Sequence, residues 1–183
     1  MRPRAVGGVS RWGTLAVGMV LGAAGMFVGL AQADRIAPAR PDVLVALGQR
    51  LEVEHRAVDL KVGNGDFAGA IESLEALRAG PWPSSEDSTS VAVALRHDAY
   101  GRLVRLRLDH PEVSPVGEEK LLEMVAEGLG DQDSEASPFT ARLWALRGEL
   151  YESQGRDDDA LEAYEKALEI NALLLERELG GEL

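Results

Sequence analysis

Residues 141–174, ARLWALRGELYESQGRDDDALEAYEKALEINALL, contain the clearest structural signal in the sequence. Hydrophobic side chains recur here at intervals of three and four residues, as they do along one face of an α-helix. Gly155 interrupts this spacing and is typical of a turn, and the acids after it suit the positive end of a helix dipole. The segment therefore predicts a hairpin of two helices, at about 138–153 and 157–170.

Small and aromatic residues take fixed positions in this hairpin: Trp144, Gly148, Tyr151, Ala160, Tyr164 and Ala167. The small ones allow two helices to pack closely, and the aromatic ones fill the spaces between neighbouring hairpins. Their order and spacing resemble the tetratricopeptide repeat, whose pattern over 34 residues is W-x2-L-G-x2-Y, then A-x3-F, then P. A generic helical hairpin is the alternative. The sequence departs from the repeat at Arg147, where the pattern has Leu, and at Ala172, where it has Pro. Without that proline, we expect the second helix to continue into the tail.

The resemblance implies an interaction fold. In this family the first helices of successive hairpins line a concave groove, and the repeat register places Arg142, Glu149 and Glu152 at that groove. It implies a protein or peptide ligand, bound by packing and by charge complementarity. The leucine-rich tail from Asn171 is either a capping helix or an end that contacts a partner.

The preceding residues show helical spacing with a weaker likeness to the repeat. We predict helices at about 43–62 and 67–79, then at about 90–108 and 115–129, with Asp66, Ser114 and Ser137 as N-caps. Aligning Gly65 with Gly155 superimposes several small and apolar positions, although Val58 then falls where the repeat has Gly148. The predicted fold class is all-α: about three hairpins forming one tetratricopeptide-like domain over residues 43–183.

The N-terminus has the features of a membrane signal. Residues 1–12 are basic, residues 13–33 carry no charged side chain, and residues 34–42 read as a linker with two prolines. Twenty-one helical residues span roughly 30 Å, enough for the hydrocarbon layer. An uncleaved single-pass anchor and a signal peptide cleaved after Ala33 are both consistent with this pattern. Either one places the body outside the cytoplasm, in the periplasm if the source is bacterial.

Charge argues against a nucleic-acid ligand. The chain has 31 acids, 19 Lys and Arg and a net charge of −12. Residues 112–183 alone hold 19 acids and 6 bases. Such a surface repels phosphate backbones, and it serves solubility or a cationic partner. Helix 90–108 also carries a basic stripe, which we expect to pair with neighbouring acids unless it contacts an acidic partner: Arg96, Arg102, Arg105 and Arg107.

The sequence offers no pattern for catalysis or for binding a cofactor. It has no cysteine, so thiolate chemistry and disulfides are excluded. His55, His97 and His110 lack metal-ligand spacing, and we expect them at the surface or half-buried. The leading hypothesis is thus a non-catalytic interaction or scaffold module, without metal or cofactor. The alternatives are a self-associating structural protein of the cell envelope, a homo-oligomer, and an accessory subunit of an enzyme complex.

Overall fold

The computed structural model describes residues 41–83 and 90–180, and every regular element in these ranges is helical. The six α-helices are α1 (Pro41–Gly63), α2 (Phe67–Ala79), α3 (Ser90–Asp109), α4 (Glu118–Leu129), α5 (Pro138–Ser153) and α6 (Asp157–Gly180). The all-α prediction is therefore confirmed for this part of the chain. The predicted basic segment 1–12, the membrane signal 13–33 and most of the linker 34–42 lie outside the described residues. Within the described ranges, no helix has the length and hydrophobicity needed to cross a bilayer.

The helices pack as three successive hairpins. α1 packs against α2, α3 against α4, and α5 against α6. The first helices also contact one another, α1 with α3 and α3 with α5. The second helices α2 and α4 each pack against the first helix of the following hairpin. The first helices are therefore neighbours, and the side chains that they share form a common surface.

Leucine dominates the core, as the low aromatic content requires. The largest fully buried leucines come from four of the helices, α1, α2, α3 and α5: Leu51, Leu74, Leu77, Leu103, Leu143, Leu146 and Leu150. Tyr100 is the aromatic exception, and its ring lies against Gly128 of α4. A Cβ atom at Gly128 would lie 2.9 Å from the Tyr100 Cβ and Cγ atoms, so a small residue allows α3 and α4 to approach.

The first and last hairpins turn in the same way. Gly65 and Gly155 both have a positive φ, 77° and 68°, a conformation that glycine adopts without a Cβ penalty. The Asp66 amide donates to the Lys61 carbonyl at 2.8 Å, and the Arg156 amide donates to the Tyr151 carbonyl at 2.9 Å. The alignment of Gly65 with Gly155 thus describes two turns with matching hydrogen bonds.

Two predicted caps are confirmed and one is wrong. The Asp66 carboxylate accepts from the Gly69 amide at 3.0 Å, and the Ser137 hydroxyl accepts from the Thr140 amide at 3.1 Å. Ser114 does not cap α4, which begins at Glu118 with Gly117 as its N-cap. The Ser114 hydroxyl instead accepts a hydrogen bond from Arg107 at 2.9 Å. α6 continues to Gly180, as the missing proline predicted.

Candidate binding groove

A shallow pocket of about 300 Å³ opens on the surface shared by α1, α3 and α5. We call this surface the groove, and its lining residues are Val58, Asp59, Val62, Leu74, Arg102, Arg105, Leu106, Asp109 and Arg142. Its apolar part consists of side chains that already belong to the core or border it. Its charged part consists of three guanidinium groups and two carboxylates. The groove can therefore hold an apolar side chain with polar groups around it.

The groove arginines are paired with acids on neighbouring helices. Arg102 of α3 donates to the Asp59 carboxylate of α1 at 3.0 Å. Arg105 of α3 donates to the Glu149 carboxylate of α5 at 2.6 Å, and this hydrogen bond raises the pKa of Arg105. These side chains are part-exposed, so each pair contributes at most about 1 kcal/mol to stability. The pairs fix where charge lies in the groove.

Asp98 of α3 forms a second connection between the first helices. Its carboxylate is 3.5 Å from His55 Nδ1 of α1, 3.6 Å from Arg102 Nε and 3.4 Å from Arg142 Nη1 of α5. The Asp98 side chain is only 10% exposed. Burial lowers the pKa of His55, with the charge of Arg102 acting in the same direction. One acid therefore joins α1, α3 and α5 beside the groove.

The hairpin of α5 and α6 is held by close contact between a glycine and a tyrosine. A Cβ atom at Gly148 would lie 2.5 Å from Tyr164 Cε1, so only glycine lets the ring sit there. The Tyr164 hydroxyl donates to the Glu152 carboxylate at 2.8 Å. Burial, together with this hydrogen bond, raises the pKa of Tyr164 to about 12. Ala160 and Ala167 of α6 are buried.

Comparison with known families agrees with this geometry. The family model for the tetratricopeptide repeat matches residues 141–172. This segment is similar to a tetratricopeptide repeat. Such repeats are in general non-catalytic modules that bind proteins. No curated protein and no solved structure matches the chain at a significant level.

The three residues that the repeat register predicts at the groove have different surroundings in the structure. Arg142 lines the groove and reaches Asp98 of α3. Glu149 faces α3 through its ion pair with Arg105. Glu152 is exposed and bonds to Tyr164 of α6 within the repeat itself. The structure thus brings Arg142 and Glu149 together with α3 but not Glu152, and their part in ligand binding stays a prediction.

The departure from the repeat pattern at Arg147 has a structural role. The Arg147 guanidinium lies 5.0 Å from the Trp144 ring centroid and 5.4 Å from that of Tyr151. The Trp144 indole also donates to the Asp133 carbonyl at 2.9 Å. Arg147 therefore covers aromatic rings where the family has leucine, through cation–π contacts.

The basic stripe of α3 pairs within the molecule, as expected. Besides Arg102 and Arg105, Arg107 donates to the Glu75 carboxylate at 2.7 Å. Arg96 donates to the Glu127 backbone carbonyl at 2.7 Å rather than to a carboxylate. These interactions orient the guanidinium groups toward neighbouring helices.

The expectation that all three histidines lie at the surface or half-buried is wrong for His97. This ring is 1% exposed, and its Nδ1 atom is 2.8 Å from the Thr140 hydroxyl of α5. Burial lowers the pKa of His97 to about 4. Asp98 was also missed as the residue connecting three helices. Neither residue belongs to a local motif, because their partners are distant in the sequence. His97 and Thr140 are 43 positions apart, and Asp98 contacts His55 and Arg142.

Proposed function

We propose that the protein is a non-catalytic interaction module that binds a peptide segment of another protein in the groove. The observation that carries this proposal is the pocket between the first helices, where an apolar floor lies beside three arginines. The Arg105 and Arg142 side chains are 43% and 53% exposed. At Arg105 an incoming carboxylate can therefore replace Glu149 at low cost, because exposed ion pairs are weak. Arg142 can bind the carboxylate while it keeps its contact with Asp98, since a guanidinium group has five N–H donors. The ligand chemistry that fits is an apolar side chain next to an acidic one.

We further propose that this module works outside the cytoplasm, tethered by or released from residues 13–33. The support is sequence: bases precede the uncharged run and acids follow it. Reporter fusions after residue 12 and after residue 183 test the orientation. Activity of an extracytoplasmic reporter at the C-terminal fusion is expected, and activity only from cytoplasmic reporters would refute the proposal. N-terminal sequencing of the mature protein distinguishes an anchor from cleavage after Ala33.

The groove is tested by selecting displayed peptides on the immobilised full chain. We expect selected peptides to combine an apolar and an acidic residue and to bind saturably. Arg142→Ala should weaken them by about tenfold through loss of a charge-assisted hydrogen bond. Arg56→Ala is the matched control, since Arg56 is an exposed arginine of α1 outside the groove. Peptides that bind the Arg142→Ala variant as tightly as the unmodified protein would place the ligand elsewhere.

The main alternative is a self-associating structural protein. Sedimentation of the full chain in detergent distinguishes the two. A stable oligomer that buries the groove and excludes the selected peptides would favour the structural role.

A further inference from the structure

α6 carries hydrophobic side chains on two faces. One face packs against α5 through the buried residues Ala160, Ala163, Ala167 and Ile170. On the other face lies a row that we call the leucine stripe: Leu161, Leu168, Ala172, Leu175 and Leu179. Its four leucines are 58–69% exposed. Within the part of the chain that the structure describes, the only helix with extensive contact to α6 is α5.

The spacing of the stripe matches a helix-to-helix seam. Leu161, Leu168 and Leu175 recur every seven residues, and Ala172 and Leu179 repeat the same interval four residues out of phase. This is the a/d arrangement by which one helix packs along another. From Leu161 to Leu179 the seam is about 27 Å long, at 1.5 Å per residue. A stripe this narrow and straight fits a single helix of similar length.

Charge beside the stripe selects the kind of helix. Glu162, Glu169 and Glu176 follow one edge of the stripe, and Glu165 interrupts the seam itself. Lys166 of α6 is bonded to one of these acids, Glu169, at 2.8 Å. Glu162 and Glu176 form no ion pair within the described residues, so the edge of the stripe keeps two acids that a base can meet.

The acidic side chains disfavour two possible occupants of the leucine stripe, a second copy of this chain and an anionic lipid surface. Two copies in parallel would bring Glu165 against Glu165 in the seam, and two antiparallel copies would bring one acidic edge against the other. An anionic bilayer would meet the same acids. A helix with lysine or arginine along its edge would meet them favourably.

We propose that the leucine stripe docks an amphipathic helix of another protein, with leucine-type side chains in its seam and basic residues along its edge. This surface shares no residue with the groove. The module then has two binding surfaces, one for an extended or short peptide and one for a basic helix.

The test uses designed helical peptides of about 20 residues and the full chain in detergent. One peptide has leucine in its seam and lysine at its edges, and a second has glutamate at the same edges. Fluorescence anisotropy should show saturable binding of the lysine peptide and far weaker binding of the glutamate peptide. Equal binding of both, or of neither, would overturn the proposal.

Variants separate the stripe from general attraction to an acidic protein. The double substitution Leu168→Ser and Leu175→Ser should lower the affinity for the lysine peptide by about tenfold or more, because it removes two apolar contacts. Leu60→Ser is the matched control, since Leu60 of α1 is 69% exposed and lies outside the stripe. Equal loss in the control variant would contradict the assignment. Both sites are exposed, so the fold should persist, and circular dichroism checks this.

Two further measurements address other occupants. If sedimentation shows a dimer that the double variant dissociates, the stripe binds a second copy. If vesicles of phosphatidylcholine and phosphatidylglycerol bind the full chain less well after the double substitution, the stripe binds lipid. Either result would replace the basic helix as the occupant.

Discussion

His97 lies between α3 and α5, and mild acid should destabilise the protein through this ring. It is 1% exposed, with Nδ1 2.8 Å from the Thr140 hydroxyl. The Thr140 hydroxyl is in turn 2.8 Å from that of Ser137. Burial lowers the His97 pKa from 6.5 to about 4, because a charged imidazole loses its hydration there. The unfolded chain therefore binds a proton at this position over a pH range in which the folded protein does not.

The sign and size follow from linkage between protonation and folding. Between pH 6.5 and pH 4 the unfolded state binds more protons at His97, so stability falls as the pH falls. The loss approaches about 3 kcal/mol below pH 4, and at pH 5 it is about 2 kcal/mol relative to pH 7.5. Carboxylates contribute little above pH 5, because their ordinary pKa values are lower.

Urea unfolding followed by circular dichroism measures this effect in the full chain. The unmodified protein and His97→Gln are compared at pH 7.5 and pH 5, and only the change with pH is used. The variant should lose about 2 kcal/mol less than the unmodified protein between the two pH values. His55 contributes equally to both proteins and cancels. Imidazole NMR signals give a second readout, in which the folded His97 ring stays neutral at pH 5. A protonated His97 ring at pH 5, or identical pH dependence in both proteins, would refute the reasoning.

Three further substitutions test the packing. Gly148→Ala should lower the free energy of unfolding by about 2 kcal/mol more than the control Gly63→Ala does. The reason is that Tyr164 blocks the Cβ position at Gly148, whereas Gly63 has open space around it. Thermal unfolding of the two variants measures the difference. Gly65→Ala should destabilise by about 1 kcal/mol, since the residue has φ 77°, and an unchanged melting temperature would contradict this. Asp98→Asn should lower the free energy of unfolding, measured in urea, by about 2 kcal/mol, because it weakens the contacts of Asp98 with three basic side chains. The loss should persist at high salt concentration, because the Asp98 carboxylate is buried.

The helices were predictable where side-chain spacing alone determines them. The α5–α6 hairpin was predicted from its small and aromatic positions, and the first hairpin from Gly65 and Asp66. The start of α4 was not, because Ser114 and Pro115 have the local chemistry of a helix start. In the folded protein the Ser114 hydroxyl instead accepts a hydrogen bond from Arg107 at the end of α3, seven residues earlier. Local pattern indicates which caps are available, and tertiary contacts decide which of them are used.

The sequence predicted which residues lie at the site, but not which side chains they contact there. The repeat register identified Arg142 and Glu149 as residues of one helix face. Their contacts with Asp98 and Arg105 join positions 44 residues apart, and one sequence carries no signal for such pairs. The same holds for His97, whose burial follows from how α5 packs on α3. Charge pairing across helices is a property of the assembled fold, whereas exposure along one helix can be read from its spacing.

The two proposed surfaces should therefore respond differently to solution conditions. In the groove each arginine already has an acid beside it, so a ligand carboxylate shares or replaces an existing pair and gains only about 1 kcal/mol of electrostatic energy. Most of the affinity there must come from apolar contact, and the charges decide which ligand fits. Along the leucine stripe Glu162 and Glu176 have no ion pair within the described chain, so a basic helix adds new ion pairs as well as apolar contact. Raising the salt concentration should thus lower the binding affinity of the basic helix much more than that of the groove peptide.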